Sequence, residues 1–157
     1  MGRGSAAGHH GVMNSTAVNR RALLGLVALG GAGAGSGVCA LERADGRVRW
    51  AVELDAPAQG LVAGGVSRGL VWTNAGALDL RTGEVQAVPG TVARAVNLVA
   101  GEGVVVAVVP DEDDADRGEL VCLESRDCSR RWSAEIDDPG PSPVRLNSAL
   151  VAIGMLD

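Results

Sequence analysis

Few side chains in this chain are able to do chemistry, and their spacing does not assemble them. The only histidines are His9 and His10, in a small-residue tail ahead of the apolar part of the chain. A nucleophile needs a base within hydrogen-bond reach, so no Ser–His or Cys–His pair can be built from the residues that follow. A structural zinc site of the usual His/Cys kind lacks its imidazoles. The acidic run Asp111-Glu-Asp-Asp-Ala-Asp116 offers the several carboxylates that a hard cation takes. Gly118, however, falls at no register that also supplies ligands at the first, third and fifth places of a calcium loop. The run reads as a solvated loop between two strands. Cys39, Cys122 and Cys128 form an odd set. The last two flank one predicted hairpin, where an exported protein could bridge them; buried structural thiols are the plainer expectation. The glycine run Gly30–Gly37 has no Gly-x-Gly-x-x-Gly register and no helix after it, so it is not a dinucleotide loop. No catalytic, cofactor-binding or metal-binding residue is assigned.

The spacing that does recur is structural. Val38-Cys-Ala-Leu-Glu-Arg-Ala-Asp-Gly-Arg-Val-Arg-Trp50 matches Leu120-Val-Cys-Leu-Glu-Ser-Arg-Asp-Cys-Ser-Arg-Arg-Trp132, and Ala77–Ala87 is a weaker copy. Leu41, Leu78 and Leu123 hold the same place, 37 and 45 residues apart. Periods of this size belong to repeat arrays. Each copy has a short apolar run, an acid, a polar turn and a second strand. Asp45-Gly46 and Thr82-Gly83 are hairpin turns, because glycine tolerates the positive φ they need. Cys128 stands where the third glycine belongs. A side chain there would be strained in the same turn, so the third turn is expected to be altered. Leu70-Val71-Trp72, Val104 to Val109 and Ala149 to Ile153 add short strands bounded by turn residues. The fold predicted is all-β, and the long period favours a propeller with about one four-stranded blade per repeat.

On these residues the chain resembles the quinoprotein-like (PQQ-like) β-propeller repeat, with signature Ala-x-Asp-x-x-x-Gly-x-x-x-Trp. Ala40, Glu42, Gly46 and Trp50 match it, with Glu for Asp. Ala77, Asp79 and Gly83 match, but Ala87 replaces the tryptophan. Glu124 and Trp132 match, while Cys122 and Cys128 replace Ala and Gly. The resemblance implies that the tryptophan packs between adjacent blades, so Trp50 and Trp132 are expected to be buried. Quinoprotein enzymes of this class hold a quinone and calcium, and their alcohol dehydrogenases carry an adjacent Cys–Cys pair, which is absent here. The resemblance therefore implies a non-catalytic binding or scaffold propeller without cofactor. The alternatives are a fragment of a PQQ-dependent dehydrogenase, with PQQ and calcium, or the sensor propeller of a membrane kinase.

Composition sets the remaining bounds. Hydrophobic residues make up 46% of the chain, yet there are three Trp and no Tyr or Phe, so Val, Leu and Ala must fill the core. From residue 38 onward, eleven arginines face 19 acids, a net charge of −8. Such a surface is unsuited to nucleic acid, which rewards basic patches. Residues 38–157 hold about three repeats of this length, and closed propellers have four to eight blades. The expectation is a partial propeller, truncated at its C-terminus, whose partners are missing blades or another protein.

Residues 1–12 are expected to be a disordered extension, and 13–37 a signal-like segment. Asn19-Arg-Arg-Ala-Leu-Leu24 resembles a twin-arginine signal, and an apolar stretch and small residues follow it. That predicts an exported or cell-envelope protein, or a membrane contact through this segment if it stays uncleaved. Alternatively, Leu23 to Ala28 forms the inner strand of the first blade, and a cytoplasmic location follows if 22–30 is that strand.

Overall fold

Tight turns set the strand lengths. Arg68-Gly69 and Glu102-Gly103 are two-residue connections in which both residues have positive φ (51° and 77°; 47° and 85°). Both residues positive is the backbone of a type I′ hairpin, whose twist matches that of its strands. Ser67 therefore pairs with Leu70, and Gly101 with Val104. The computed structural model describes residues 27–31, 34–42, 44–55, 57–139, 144–146 and 151–153. The signal-like reading of residues 13–26 and the extension at 1–12 lie outside the described residues.

Thirteen strands are described, in antiparallel sheets that follow one another along the chain. The first sheet contains β1 (Val27–Gly31), β2 (Ala34–Leu41) and β3 (Val48–Leu54). The second contains β4 (Ala63–Ser67), β5 (Leu70–Thr73), β6 (Ala77–Asp79) and β7 (Val85–Gln86). A single helical turn, α1 (Gly90–Ala93), leads into the third. That sheet contains β8 (Asn97–Gly101), β9 (Val104–Pro110), β10 (Arg117–Glu124) and β11 (Arg130–Asp137). A last pair, β12 (Val144–Leu146) and β13 (Val151–Ile153), has β12 beside β8. Each of the two complete sheets is a four-stranded meander, and the first sheet shows three strands among the described residues, with β1 in the place that β5 and β9 hold. This is the blade pattern of a β-propeller.

The sheets stack face to face. Val38, Ala40, Trp50 and Leu54 of the first sheet share a core cluster with Val71 and Leu78 of the second. Trp72 and Ala77 of the second share another with Leu98, Val105, Ala107, Val109, Val121 and Leu123 of the third. The far face of the third sheet carries Val104, Val106, Val108, Leu120 and Cys122. Alternate residues of β9 thus belong to different cores, and that is why its sequence is an uninterrupted apolar run.

The innermost strands meet at close range. A Cβ on Gly64 would lie 2.8 Å from the Leu98 side chain, and one on Gly65 would lie 3.2 Å from the Ala100 carbonyl oxygen. The Ala-Gly-Gly start of β4 lets its backbone press against β8. Asn74, buried after β5, locks the entry to both sheets. Its Oδ1 accepts the Val62 N–H at 2.8 Å, and its Nδ2 donates to the carbonyls of Gly60 and Ala95.

Candidate functional site: the repeated hairpins and the acidic groove

The recurring acid is the hinge of one turn frame used three times. The N–H groups of Glu42, Asp79 and Glu124 each donate to the carbonyl five residues on, at 2.8 Å in every case. Their carbonyls accept the N–H of Gly46, Gly83 and Cys128, at 2.8, 2.8 and 2.9 Å. The third turn is therefore not altered, contrary to the expectation drawn from Cys128. Cys128 takes φ +59° instead, beside +71° and +77° for the two glycines. Two main-chain bonds fix the frame, and the side chain accepts a left-handed backbone that costs on the order of 1–2 kcal/mol.

A second repeated contact sits one residue before the glycine place. Asp45 and Asp127 accept the N–H two residues on through Oδ1, at 3.1 and 3.0 Å, and Thr82 does so through Oγ1 at 3.2 Å. Ser129 adds its hydroxyl to Asp127 at 2.6 Å, and this hydroxyl and the Ser129 N–H hold the Asp127 carboxyl below its ordinary pKa.

Acid type then divides the copies. Glu42 reaches Arg49 (Oε1 to Nε, 2.7 Å) and Glu124 reaches Arg131 (2.9 Å). Both arginines are the extra residue of a one-residue β-bulge. Leu41 pairs with Val48 and Ala40 with Trp50; Leu123 pairs with Arg130 and Cys122 with Trp132. Asp79 is too short for that reach. Its Oδ1 instead accepts the N–H groups of Arg81 and Thr82, at 2.9 and 2.8 Å, and the Thr82 hydroxyl. The backbone N–H of Thr82, then that of Arg81, lowers its pKa. The second sheet has no bulge at this point, and Ala77 pairs with Gln86.

The bulge determines where the tryptophan lands. Trp50, 9% exposed, crosses to the next sheet, where its Nε1–H donates to the Leu80 carbonyl at 3.1 Å. A Cβ on Gly83 would meet the indole ring at 2.9 Å, so glycine is required there for space as well as for φ. Trp132 has the same register, opposite Cys122 as Trp50 is opposite Ala40, but it is 39% exposed. Its expected burial is corrected: it belongs to none of the three core clusters, because no hairpin among the described residues lies over the β11 side of that face.

The cysteines are all free thiols. Cys122 belongs to the far-face cluster of the third sheet, whereas Cys128 packs against the cluster shared with the second sheet. Opposite faces of one sheet separate them, and burial raises both thiol pKa values. This environment disfavours a reactive thiolate.

The acidic run forms the loop between β9 and β10. With Arg94, Arg117, Glu119, Glu135 and Asp137 it borders a groove of about 560 Å³. Arg94 pairs with Glu112, Arg117 with Asp114 at 3.6 Å, and Arg130 with Glu119 at 3.1 Å. Among the described residues, no three His, Cys, Asp or Glu side chains form a group that could hold a metal ion. No helix among them is long and apolar enough to cross a membrane.

The two-residue turns at Arg68-Gly69 and Glu102-Gly103 and the glycine contacts of β4 were not anticipated from sequence. The signal for the turns was present as x-Gly between two β-capable runs.

No protein-family model and no curated protein matches this chain. Among solved structures it is similar to a europium-containing methanol dehydrogenase, with a TM-score of 0.50 and 16% sequence identity over 70% of this chain. The chain spans 22% of the length of that protein. At this identity the likeness speaks for the fold alone, and with the stacked meanders it identifies an all-β, propeller-type architecture.

Proposed function

We propose that this chain is a non-catalytic binding or scaffold domain built from quinoprotein-like propeller blades. One observation carries the reading: the recurring residues serve the architecture. Glu42 and Glu124 hold bulge arginines, Asp79 holds its own turn, and Trp50 fastens one sheet to the next. A fold of this kind hosts many functions, so function must be argued from the site and not from the likeness to a dehydrogenase. The groove beside the acidic loop is lined by charged side chains already paired with one another, which suits a solvated surface better than a cofactor pocket.

A titration of the full chain with a pyrroloquinoline quinone and calcium tests this. The expected result is no stoichiometric quinone uptake and no dye reduction with an alcohol. Stoichiometric, calcium-dependent binding would instead establish the dehydrogenase-fragment reading. An exported or cell-envelope location belongs to the same proposal and rests on Asn19-Arg-Arg-Ala-Leu-Leu24. Replacing Arg20 and Arg21 by Lys should then abolish export, and unchanged fractionation would remove that part.

A further inference from the structure

The contact between Trp50 and the Asp79–Gly83 turn is a complete joint, and its two halves occur unmatched elsewhere. The Glu42–Gly46 turn has the same two main-chain bonds and φ +71° at its glycine. A Cβ on Gly46, however, would meet nothing within 4 Å, whereas one on Gly83 would strike the Trp50 ring. Gly46 is thus a tryptophan seat with no tryptophan on it. Trp132 is the converse. It follows the same arginine bulge and opposes the same strand position as Trp50, and it is left 39% exposed. The chain contains three tryptophans. Trp50 is seated and Trp72 is buried between the second and third sheets, which leaves Trp132 to fill the place over Gly46.

The two halves point away from each other within one chain. Trp132 shares its face of the third sheet with Leu120 and Cys122, the face turned away from the second sheet. By analogy with Gly83, which receives a ring from the preceding sheet, Gly46 would receive one on the side away from the second sheet. We propose that the halves join between copies: Trp132 of one molecule seats on the Glu42–Gly46 turn of a second copy, in a head-to-tail contact. The position of Trp132 supports this occupant. It lies at the outer end of a face whose inner part, Val104, Val106 and Val108, is already buried, so the contact would continue a packed surface. β12 sits beside β8, the inner strand, and not over β11. A contact that joins different patches closes into a ring if the rotation allows and otherwise grows; two copies, each giving one tryptophan and one seat, could close on each other. The inference rests on the scaffold reading, but its test does not involve quinone, so the two can fail separately.

Sedimentation of the full chain across a wide concentration range is the experiment. The wild type should self-associate, and Trp132→Ala should weaken association at least tenfold without loss of fold, since the side chain is exposed. Gly46→Ala should weaken it equally by filling the seat. Gly60→Ala controls for backbone strain: Gly60 also has positive φ (90°) and open space, and is no seat, so this variant should associate like the wild type. A mixture of Trp132→Ala and Gly46→Ala chains retains one intact tryptophan and one intact seat, and should form a 1:1 pair that neither forms alone. A wild type that stays monomeric, a Trp132→Ala chain that associates like the wild type, or a mixture that does not pair would each overturn the proposal.

Discussion

The joint between the first and second sheets and the joint between the second and third share a hydrogen-bond frame but distribute bulk in opposite ways. In the first, a large ring on the strand, Trp50, lies over a turn with no side chain, Gly83. In the second, the strand has no bulge and places exposed Ala87 where the tryptophan would be, while Cys128 adds a side chain to the turn and packs against the shared core. Trp72, from β5, fills that joint from within. Its indole N–H has no hydrogen-bond partner among the described residues, in contrast to that of Trp50. The comparison shows that a joint needs volume from either side, and that the bulge arginine is what aims the ring at the neighbouring turn.

Removing the ring should break the first joint outright. Trp50→Ala is expected to destabilise the chain by about 3–5 kcal/mol, the usual cost of deleting a buried aromatic side chain. Trp132→Ala, measured by denaturant unfolding at concentrations where the chain is monomeric, should change stability by no more than ~0.5 kcal/mol. Equal losses would mean that the register position, and not the presence of a neighbouring turn, sets the energetic role.

The second joint can be tested by rebuilding it as the first. Ala87→Trp alone would meet Cys128, and Cys128→Gly alone would lose the thiol packing while relieving its left-handed backbone. Together they should show a favourable coupling of about 0.5–3 kcal/mol in a double-mutant cycle, the range for residues in contact. Additive effects would show that the missing bulge at Gln86 keeps the ring from reaching the turn.

The smallest expected effect separates the turns by pH. The carboxyls of Asp79 and Asp127 titrate below the ordinary 3.8 in the folded chain, because turn N–H and hydroxyl groups bond the ionised form. The unfolded chain therefore binds their protons first as pH falls. Their stabilisation is present above the ordinary carboxylate range and is lost as pH drops through it. Asp79→Asn and Asp127→Asn should each flatten the acid limb of a stability–pH curve below about pH 4. An unchanged limb would show that these turn bonds are no tighter in the folded state.

What the sequence made legible is whatever a hairpin decides locally. The acid at Glu42, Asp79 and Glu124, four residues before a positive-φ place, indicated three turns, and all three form there. The third was misjudged in its geometry because residue preference was weighed without the two main-chain bonds that outweigh it. Trp132 was misjudged for a different reason. A repeat position states where a residue lies in its own sheet, whereas burial depends on the sheet that comes next. The strand at Ala63–Ser67 carries Gly64-Gly65 because a neighbouring backbone approaches, and that approach is a tertiary fact with no apolar alternation to reveal it. The two arginine bulges were likewise hidden, since Arg49 and Arg131 read as ordinary exposed residues until the pairing register shows the extra one.

The double-sided burial of β9 has a consequence for the chain before it folds. Val104-Val-Val-Ala-Val-Val109 is six residues of high β-propensity with no charge, the composition that stacks into cross-β fibrils when left uncovered. Its flanks oppose that outcome. Pro110 interrupts strand addition, and five acids follow within the next six residues, repelling a second identical segment in register. The same loop therefore acts as a gatekeeper during synthesis. Neutralising Asp111–Asp116 would be felt first in the yield of soluble protein and only afterwards in the stability of what had folded.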